Sequence, residues 1–301
     1  MEKNKNSSLQ DSSRPVSFWE KKIIITPGDK VRLLIGSFTL LPLRLILLVP
    51  SFLIIWCSSS IGLLGMDENK PASGFRRRLQ NCNYFVARFV IRICLGFIFP
   101  KITGDILPAE EAPILVVAPH TSVFDCWVLF WFGDGTCLVR DENKNTPFFG
   151  TILRFHQMVF VKRSSKKSRQ EALQAITERT VNKKWGRLVI FPEGTTSVGA
   201  SLLPFKKGAF LPGPHLIHPL ILRYPNKLDC TTWTLGNGVV VGMFFRAMAS
   251  LYNNAEMEVL PAVQPTGDTT IFGENLRRRI GKKTGMALFE GDLKHAESLF
   301  E

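Results

Sequence analysis

The stretch "ILVVAPHTSVFD", from Ile114 to Asp125, joins a short apolar run to an ionisable pair. The run Ile114–Ala118 has the length and composition of a buried strand. His120 follows within two residues, and Asp125 comes five residues after His120. Positions five apart on an α-helix differ by about 140° and point away from each other. We therefore expect His120 in the turn after the strand and Asp125 in the first turns of a helix.

Short apolar runs recur after this stretch, with longer helix-compatible segments between them. Strands are predicted over Thr136–Arg140, Met158–Val161, Arg187–Phe191 and His218–Leu222. The segment "SSKKSRQEALQAITERTVNKK" carries apolar residues at helical spacing, and Ser168 or Ser164–Ser165 is its expected cap. Such alternation predicts an α/β fold with a mostly parallel sheet flanked by helices.

Polar residues follow three of the predicted strands. His120 comes after the first, Arg163 after "MVFV" and Glu193 after "RLVIF". Sites in open α/β sheets lie at the carboxyl ends of strands. We expect these three side chains to converge on one pocket.

The segment Leu33–Met66 is almost wholly apolar, and no charge occurs between Leu45 and Gly65. Such a run is long enough to span a bilayer. A straight helix over all of it would exceed the ~30 Å hydrocarbon core, and Pro42, Arg44 and Pro50 interrupt it. We predict a kinked membrane-embedded hairpin in preference to a single span. A buried pair of core helices is the third alternative, and it would have to hide Arg44.

Positive charge lies on both sides of this segment, so both ends are expected on the cytosolic face. The flanking cations are Lys21, Lys22, Lys30 and Arg32 before it, and Lys70, Arg76, Arg77 and Arg78 after it. We divide the chain into a disordered tail (1–20), a membrane anchor (21–70) and a catalytic domain (71–301). Within that domain Phe85, Phe89 and Ile93 have helical spacing, which predicts an amphipathic helix over 75–99. It either lies at the lipid headgroups or packs on the domain.

The chain carries 38 Lys and Arg against 25 Asp and Glu, a formal charge of +13. This charge suits anionic partners such as phospholipids or phosphorylated cosubstrates. Nucleic acid is not expected, because the charge is dispersed and no nucleic-acid motif occurs. The six cysteines have no paired spacing, so we expect reduced thiols and no metal site.

Three motifs occur in a fixed order: H-x4-D at His120–Asp125, F-P-E-G-T at Phe191–Thr195 and F-K-K-G-A-F at Phe205–Phe210. A basic residue, Arg163, follows a predicted strand between the first two motifs. With these features, residues 75–225 resemble the glycerophospholipid acyltransferase family. The resemblance implies transfer of an acyl group from acyl-CoA, as cosubstrate and without another cofactor, to a lysophospholipid hydroxyl. It also implies contact with membrane lipids and a place in the endoplasmic reticulum membrane with the active site facing the cytosol.

The residue types fit this chemistry. An imidazole is suited to removing the proton of an acceptor hydroxyl, so His120 is the expected general base. A carboxylate on the other ring nitrogen fixes the tautomer, which is the role expected of Asp125. No G-x-S-x-G motif occurs in the sequence, so direct attack by the acceptor is favoured over a serine acyl-enzyme.

The resemblance also marks residues for substrate binding. They are Arg163, Glu193, Gly194, Thr195, Thr196, Lys206 and Lys207. Many lysophosphatidic acid acyltransferases have arginine where this chain has Thr196. The missing cation favours the phosphodiester acceptors lysophosphatidylcholine and lysophosphatidylethanolamine. The alternatives are a lysophosphatidic acid or glycerol-3-phosphate acyltransferase and, from another class, a catalytically silent lipid-binding or scaffold protein.

Overall fold

The computed structural model describes residues 21–132, 135–162, 165–210, 215–233 and 239–291. Their strands are β1 (Lys101–Thr103), β2 (Ile114–Ala118), β3 (Thr136–Arg140), β4 (Val159–Val161), β5 (Leu188–Ile190), β6 (Ile217–Arg223) and β7 (Glu256–Val259). They form one sheet in the order β1-β7-β6-β2-β5-β3-β4. Neighbours are parallel except β6 and β7, which are antiparallel. The predicted α/β class with a mostly parallel sheet is therefore confirmed.

Helices flank the sheet. They are α1 (Pro27–Leu63), α2 (Gly74–Phe89), α3 (Phe149–Phe155), α4 (Lys166–Val181), α5 (Val239–Ala249) and α6 (Thr269–Thr284). A π-turn over Val90–Cys94 continues α2, and a 3₁₀ helix covers Val123–Phe130. The side chain of Ser165 caps α4 by accepting from the Ser168 amide at 3.1 Å.

Strand β2 lies at the centre of the sheet, between β5 and β6. Its five residues are wholly buried, and alternate side chains enter two different apolar clusters on the two faces. A strand buried on both faces reads as a continuous apolar run, which is why it could be predicted. Its carboxyl end therefore delivers His120 to the middle of the sheet edge.

The edge strand β1 and its neighbour β7 were not predicted. Lys101–Thr103 is exposed throughout, and Glu256–Val259 is buried only at alternate positions. Neither gives an apolar run, because each has at least one face away from the core.

The predicted hairpin is wrong: Pro27–Leu63 is one continuous helix of 37 residues. It docks on the domain on both sides of its prolines. Gly36 meets the backbone of Ala249 so closely that a Cβ atom would lie 1.8 Å from its carbonyl oxygen, and Gly62 likewise has no room for a Cβ against Phe155. These contacts on both sides of the prolines hold the helix continuous where proline alone would favour a break.

The opposite face of α1 is apolar and exposed. Its exposed side chains include Leu34, Ile35, Phe38, Ile46, Val49 and Ile54. α1 is long and apolar enough to cross a bilayer, and its exposed face indicates membrane association.

The helical part of the segment 75–99 ends at Cys94, five residues earlier than predicted. Tyr84, Ala87 and Ile91 pack inward, whereas Phe85, Phe89 and Ile93 are exposed. The alternative of packing on the domain thus holds for the inward face, and contact of the exposed stripe with lipid remains a prediction.

Candidate active site

His120 and Asp125 lie at the carboxyl end of β2. His120 occupies the turn after the strand, and Asp125 is the third residue of the 3₁₀ helix. The His120 Nδ1 atom lies 2.8 Å from Asp125 Oδ2. This is the contact that the five-residue spacing predicts.

Asp125 is completely buried and receives three further hydrogen bonds. The amides of Thr121 and Ser122 donate to Oδ2 at 2.8 and 2.9 Å, and the Tyr224 hydroxyl donates to Oδ1 at 2.7 Å. Every one of these neighbours is a donor, so the carboxylate accepts from all of them and from His120. His120 Nδ1 therefore carries the hydrogen, and Nε2 presents a lone pair.

Opposing effects act on the protonation of His120. Its side chain is 13% exposed, and burial lowers the pKa. The hydrogen bond and charge of Asp125, with smaller effects of Cys126 and Glu193, outweigh burial and raise the pKa of His120 above its ordinary value. The pair thus favours the imidazolium that forms when the base takes a proton.

Glu193 binds the backbone of the turn that carries His120. Its Oε1 atom accepts from the His120 amide at 2.7 Å, and Oε2 accepts from the Leu203 amide at 3.0 Å. The side chain is 0% exposed, and burial raises its pKa to about 7 against these two hydrogen bonds, which lower it. Both carboxylate oxygens are engaged inside the protein, which agrees with an orienting role for Glu193. The geometry makes Glu193 a positioning residue.

Thr196 stands at the free nitrogen of the base. Its Oγ1 atom lies 3.1 Å from His120 Nε2. Because Nε2 holds a lone pair, the threonine hydroxyl is the donor. The Phe191 ring stacks on the imidazole, with centroids 4.1 Å apart and planes 18° apart. Thr196 thus contacts the imidazole on the side opposite Asp125, and Phe191 covers one face of the ring.

Gly194 and Lys206 are neighbours. Gly194 adopts a left-handed φ of 71°, which favours glycine. A Cβ atom there would come within 3.3 Å of the Lys206 side chain. The two predicted substrate-binding residues Gly194 and Lys206 are therefore brought together, with the half-buried Thr195 on the same loop.

The predicted cation Lys207 does not join this group. Lys207 is exposed in a 3₁₀ turn, and its charge acts on Asp268 at the start of α6. Arg163 lies outside the described residues.

Sequence reasoning missed Tyr224 and gave Phe191 no role. Tyr224 follows β6 directly, just as His120 follows the neighbouring strand β2 closely. Its position at a strand end was a usable signal, but an isolated tyrosine has no motif around it. Phe191 gives no signal beyond its place as the first residue of the F-P-E-G-T motif.

The fold and this site define a class of protein: an α/β domain whose central strand presents a histidine, held by a buried carboxylate, at the edge of the sheet. Residues 100–212 match the model of the family described as Acyltransferase. They form a domain of that family.

Relatives match beyond this domain. The chain is 35% identical over 272 residues to the lysophospholipid acyltransferase LPCAT4 of Xenopus tropicalis, covering 88% of this chain and 50% of that protein. It is 33% identical to the lysophosphatidylcholine acyltransferase of Drosophila melanogaster (86% and 50% covered) and 31% identical to human lysophosphatidylcholine acyltransferase 2 (87% and 49%). The chain thus spans about half the length of these relatives.

Among solved structures, the 1-acyl-sn-glycerophosphate (LPA) acyltransferase PlsC from Thermotoga maritima aligns with 89% of this chain and 100% of its own. The TM-score is 0.48 and the sequence identity 15%.

Proposed function

We propose that this protein is an acyl-CoA:lysophospholipid O-acyltransferase that works at a membrane. The observation that carries the proposal is the buried Asp125 carboxylate on Nδ1 of His120, which leaves Nε2 as a base at the edge of the sheet. The relatives named above act, by their names, on lysophospholipids or lysophosphatidylcholine.

The dyad supports a single displacement. The acceptor hydroxyl donates to His120 Nε2 and attacks the thioester carbonyl, while the proton moves to the imidazole. Asp125 stabilises the imidazolium through the hydrogen bond to Nδ1. The tetrahedral intermediate then collapses, the carbon–sulfur bond breaks, and the imidazolium proton passes to the departing thiolate of coenzyme A. The base is neutral again at the end of the cycle.

The acceptor is, in this proposal, lysophosphatidylcholine or lysophosphatidylethanolamine. Thr196 is neutral and stands beside the base, where an arginine would add one cation for a phosphomonoester. A charge-assisted contact contributes roughly 1.5–3 kcal/mol. Lysophosphatidic acid, with a second phosphate charge, would gain most from that cation and gains nothing from threonine.

The location proposed is the endoplasmic reticulum membrane, with the site facing the cytosol where acyl-CoA is found. The exposed apolar face of α1 and the exposed stripe of Phe85, Phe89 and Ile93 offer surfaces that enter lipid.

The test is transfer by the purified protein, with radiolabelled acyl-CoA and a panel of lysolipids in mixed micelles. We expect both diesters to have a higher kcat/KM than lysophosphatidic acid, and Thr196→Arg to shift the ratio toward the monoester by about tenfold. A higher kcat/KM for lysophosphatidic acid in the wild type would reject the acceptor assignment. No transfer to any lysolipid, with retained vesicle binding, would favour the catalytically silent lipid-binding protein.

A further inference from the structure

A second concave region adjoins the dyad. It is a cavity of about 420 Å³ between the segment that precedes α1, the loop after β2 and the residues that follow β6. Pro119, Thr121 and Tyr224 form its wall toward the active site. Thr121 and Tyr224 are two of the donors to Asp125, so an occupant of this cavity lies one residue layer from the dyad.

The cavity is cationic. Four basic residues line it, Lys21, Lys22, Arg223 and Lys227, against one carboxylate, Asp229. Lys21 and Asp229 neutralise each other across 2.6 Å. Within the described residues, Lys22 and Lys227 have no carboxylate partner, and both are exposed.

Arg223 is only partly satisfied. Its Nη2 atom lies 3.3 Å from Glu258 Oε2, but Glu258 also pairs with Lys283 at 2.6 Å. The Arg223 Nε atom is buried and has no hydrogen-bond partner in the described part of the chain. A buried donor without a partner costs about 1–3 kcal/mol, so an anionic ligand that reached it would be bound favourably.

We propose that this cavity binds the phosphorylated nucleotide end of acyl-CoA. This inference rests on the proposed function and extends it from the base to the cosubstrate. Lys22, Arg223 and Lys227 complement the several phosphate charges of that nucleotide, whereas a zwitterionic choline lysolipid has no net charge to match them. The volume suits a ligand of nucleotide size. Apolar wall for the adenine ring is supplied by Val198, Leu222 and Met286.

The place of the cavity agrees with the shape of the ligand. The thioester of acyl-CoA lies at the far end of the pantetheine arm from the phosphates, so the nucleotide must bind away from His120 Nε2. Thr121 and Tyr224, which donate to Asp125, line the cavity, whereas Nε2 faces Thr196, which is not among the lining residues. Exposed Lys22 also keeps this region open to water, the phase in which the nucleotide remains.

The experiment compares charge reversals on opposite edges of the sheet in the full-length protein. Lys22→Glu with Lys227→Glu alters the cavity. Lys183→Glu with Lys184→Glu makes the same charge change at exposed positions before β5, at the amino ends of the strands. Calorimetry with coenzyme A and with 3′-dephospho-coenzyme A gives the affinities without requiring turnover. Kinetics give the KM of each substrate separately, and circular dichroism checks the fold.

We expect the cavity variant to weaken coenzyme A binding by about 10- to 100-fold and the control variant by less than threefold. The KM for acyl-CoA rises accordingly, and the KM for lysophosphatidylcholine stays within twofold. Wild type prefers coenzyme A to its dephospho form, and the cavity variant loses much of that preference. Lys22→Gln with Lys227→Gln falls between wild type and reversal.

Two outcomes overturn the inference. One is unchanged affinity for coenzyme A in a folded cavity variant. The other is a raised KM for the lysophospholipid alone, which would assign the cavity to the lipid headgroup. Coenzyme A binding that depends on the cavity, without transfer to any lysolipid, would reject the proposed function and leave the nucleotide site standing. Acyl transfer to a lysolipid, with unaltered coenzyme A affinity in the cavity variant, would support the proposed function and reject the nucleotide site.

Discussion

His120 and Arg44 both interrupt apolar sequence, yet their partners lie at very different distances along the chain. His120 is held by Asp125, five residues away, and Asp125 in turn accepts hydrogen bonds from the Thr121 and Ser122 amides of the same loop. Arg44 is buried in the middle of α1 and donates to the carbonyls of Ala247, Met248, Ser250 and Leu251, more than 200 residues away. Ala247 and Met248 lie in the last turn of α5, and Ser250 and Leu251 directly follow it; carbonyls at a helix end lack intrahelical partners.

The contrast explains which sequence inferences succeeded. A local pair leaves its signature in spacing, so the turn that carries the dyad could be predicted from H-x4-D. Arg44 has its partners elsewhere in the chain, and from sequence alone it looked like an interruption of a membrane segment. In the structure it joins α1 to the domain, and the helix runs through the positions where a hairpin was expected to turn.

His120→Ala is expected to have the largest effect, and it tests the function of the local His120–Asp125 pair. Loss of a general base lowers the rate by about 10²–10⁴. We expect kcat of acyl transfer to fall by that factor, while circular dichroism and sedimentation with vesicles stay as in the wild type. Near-normal turnover of the purified variant would remove His120 from the reaction.

Arg44→Met tests the long-range contacts that join α1 to the domain. The substitution keeps an apolar stem but leaves four carbonyls without their charged donor, and each such bond contributes roughly 1.5–3 kcal/mol when counted alone. Because water will replace part of these hydrogen bonds, we expect the free energy of unfolding to fall by about 3 kcal/mol in total. Melting in detergent should drop by about 6–12 °C.

The matched control is Arg32→Met on the same helix, because the Arg32 side chain is 76% exposed and pairs only loosely with Asp29 at 3.8 Å. It should shift the melting temperature by less than 2 °C, about 0.5 kcal/mol. Equal shifts in both variants would mean that α1 is not docked through Arg44.

Much of the fold was accessible from sequence because its central strands are buried on both faces. Five apolar runs predicted five strands, and the helical spacing of Ala172 and Ile176 predicted α4. The polar edge strand β1 and the half-buried β7 gave no such run. At the site, the H-x4-D and F-P-E-G-T motifs named the right loops, but only the packed structure shows that Glu193 faces inward and that Thr196 faces the base.

Tyr224→Phe tests a long-range contact of the local dyad, since Tyr224 is 99 residues from Asp125 and yet donates to it. Loss of one hydrogen bond to a carboxylate costs about 1.5–3 kcal/mol, so we expect kcat/KM to fall by about tenfold or more. The Asp125 charge would also be less compensated, which raises the pKa of His120 further. Because the base must be neutral, the acid limb of the kcat/KM profile should move to higher pH, by up to about one unit.

Tyr252→Phe is the control for this change, because Tyr252 is exposed and contributes nothing to the dyad. It should alter neither kcat/KM nor the pH profile. A tenfold loss in Tyr224→Phe with an unmoved acid limb would show a packing effect instead of an electrostatic one.

Thr196→Val is expected to have the smallest effect. The threonine hydroxyl donates to His120 Nε2 at 3.1 Å, which is the bond that the acceptor hydroxyl must make during transfer. In the free protein Thr196 therefore occupies the place of the substrate hydroxyl and must yield it. A neutral hydrogen bond is worth about 0.5–1.5 kcal/mol, so its removal should lower the KM for the lysophospholipid by about two- to tenfold and leave kcat within twofold. Initial rates over a lysophospholipid series at saturating acyl-CoA measure both constants. A fall in kcat with unchanged KM would mean that Thr196 holds the imidazole in place and that the acceptor hydroxyl approaches from another direction.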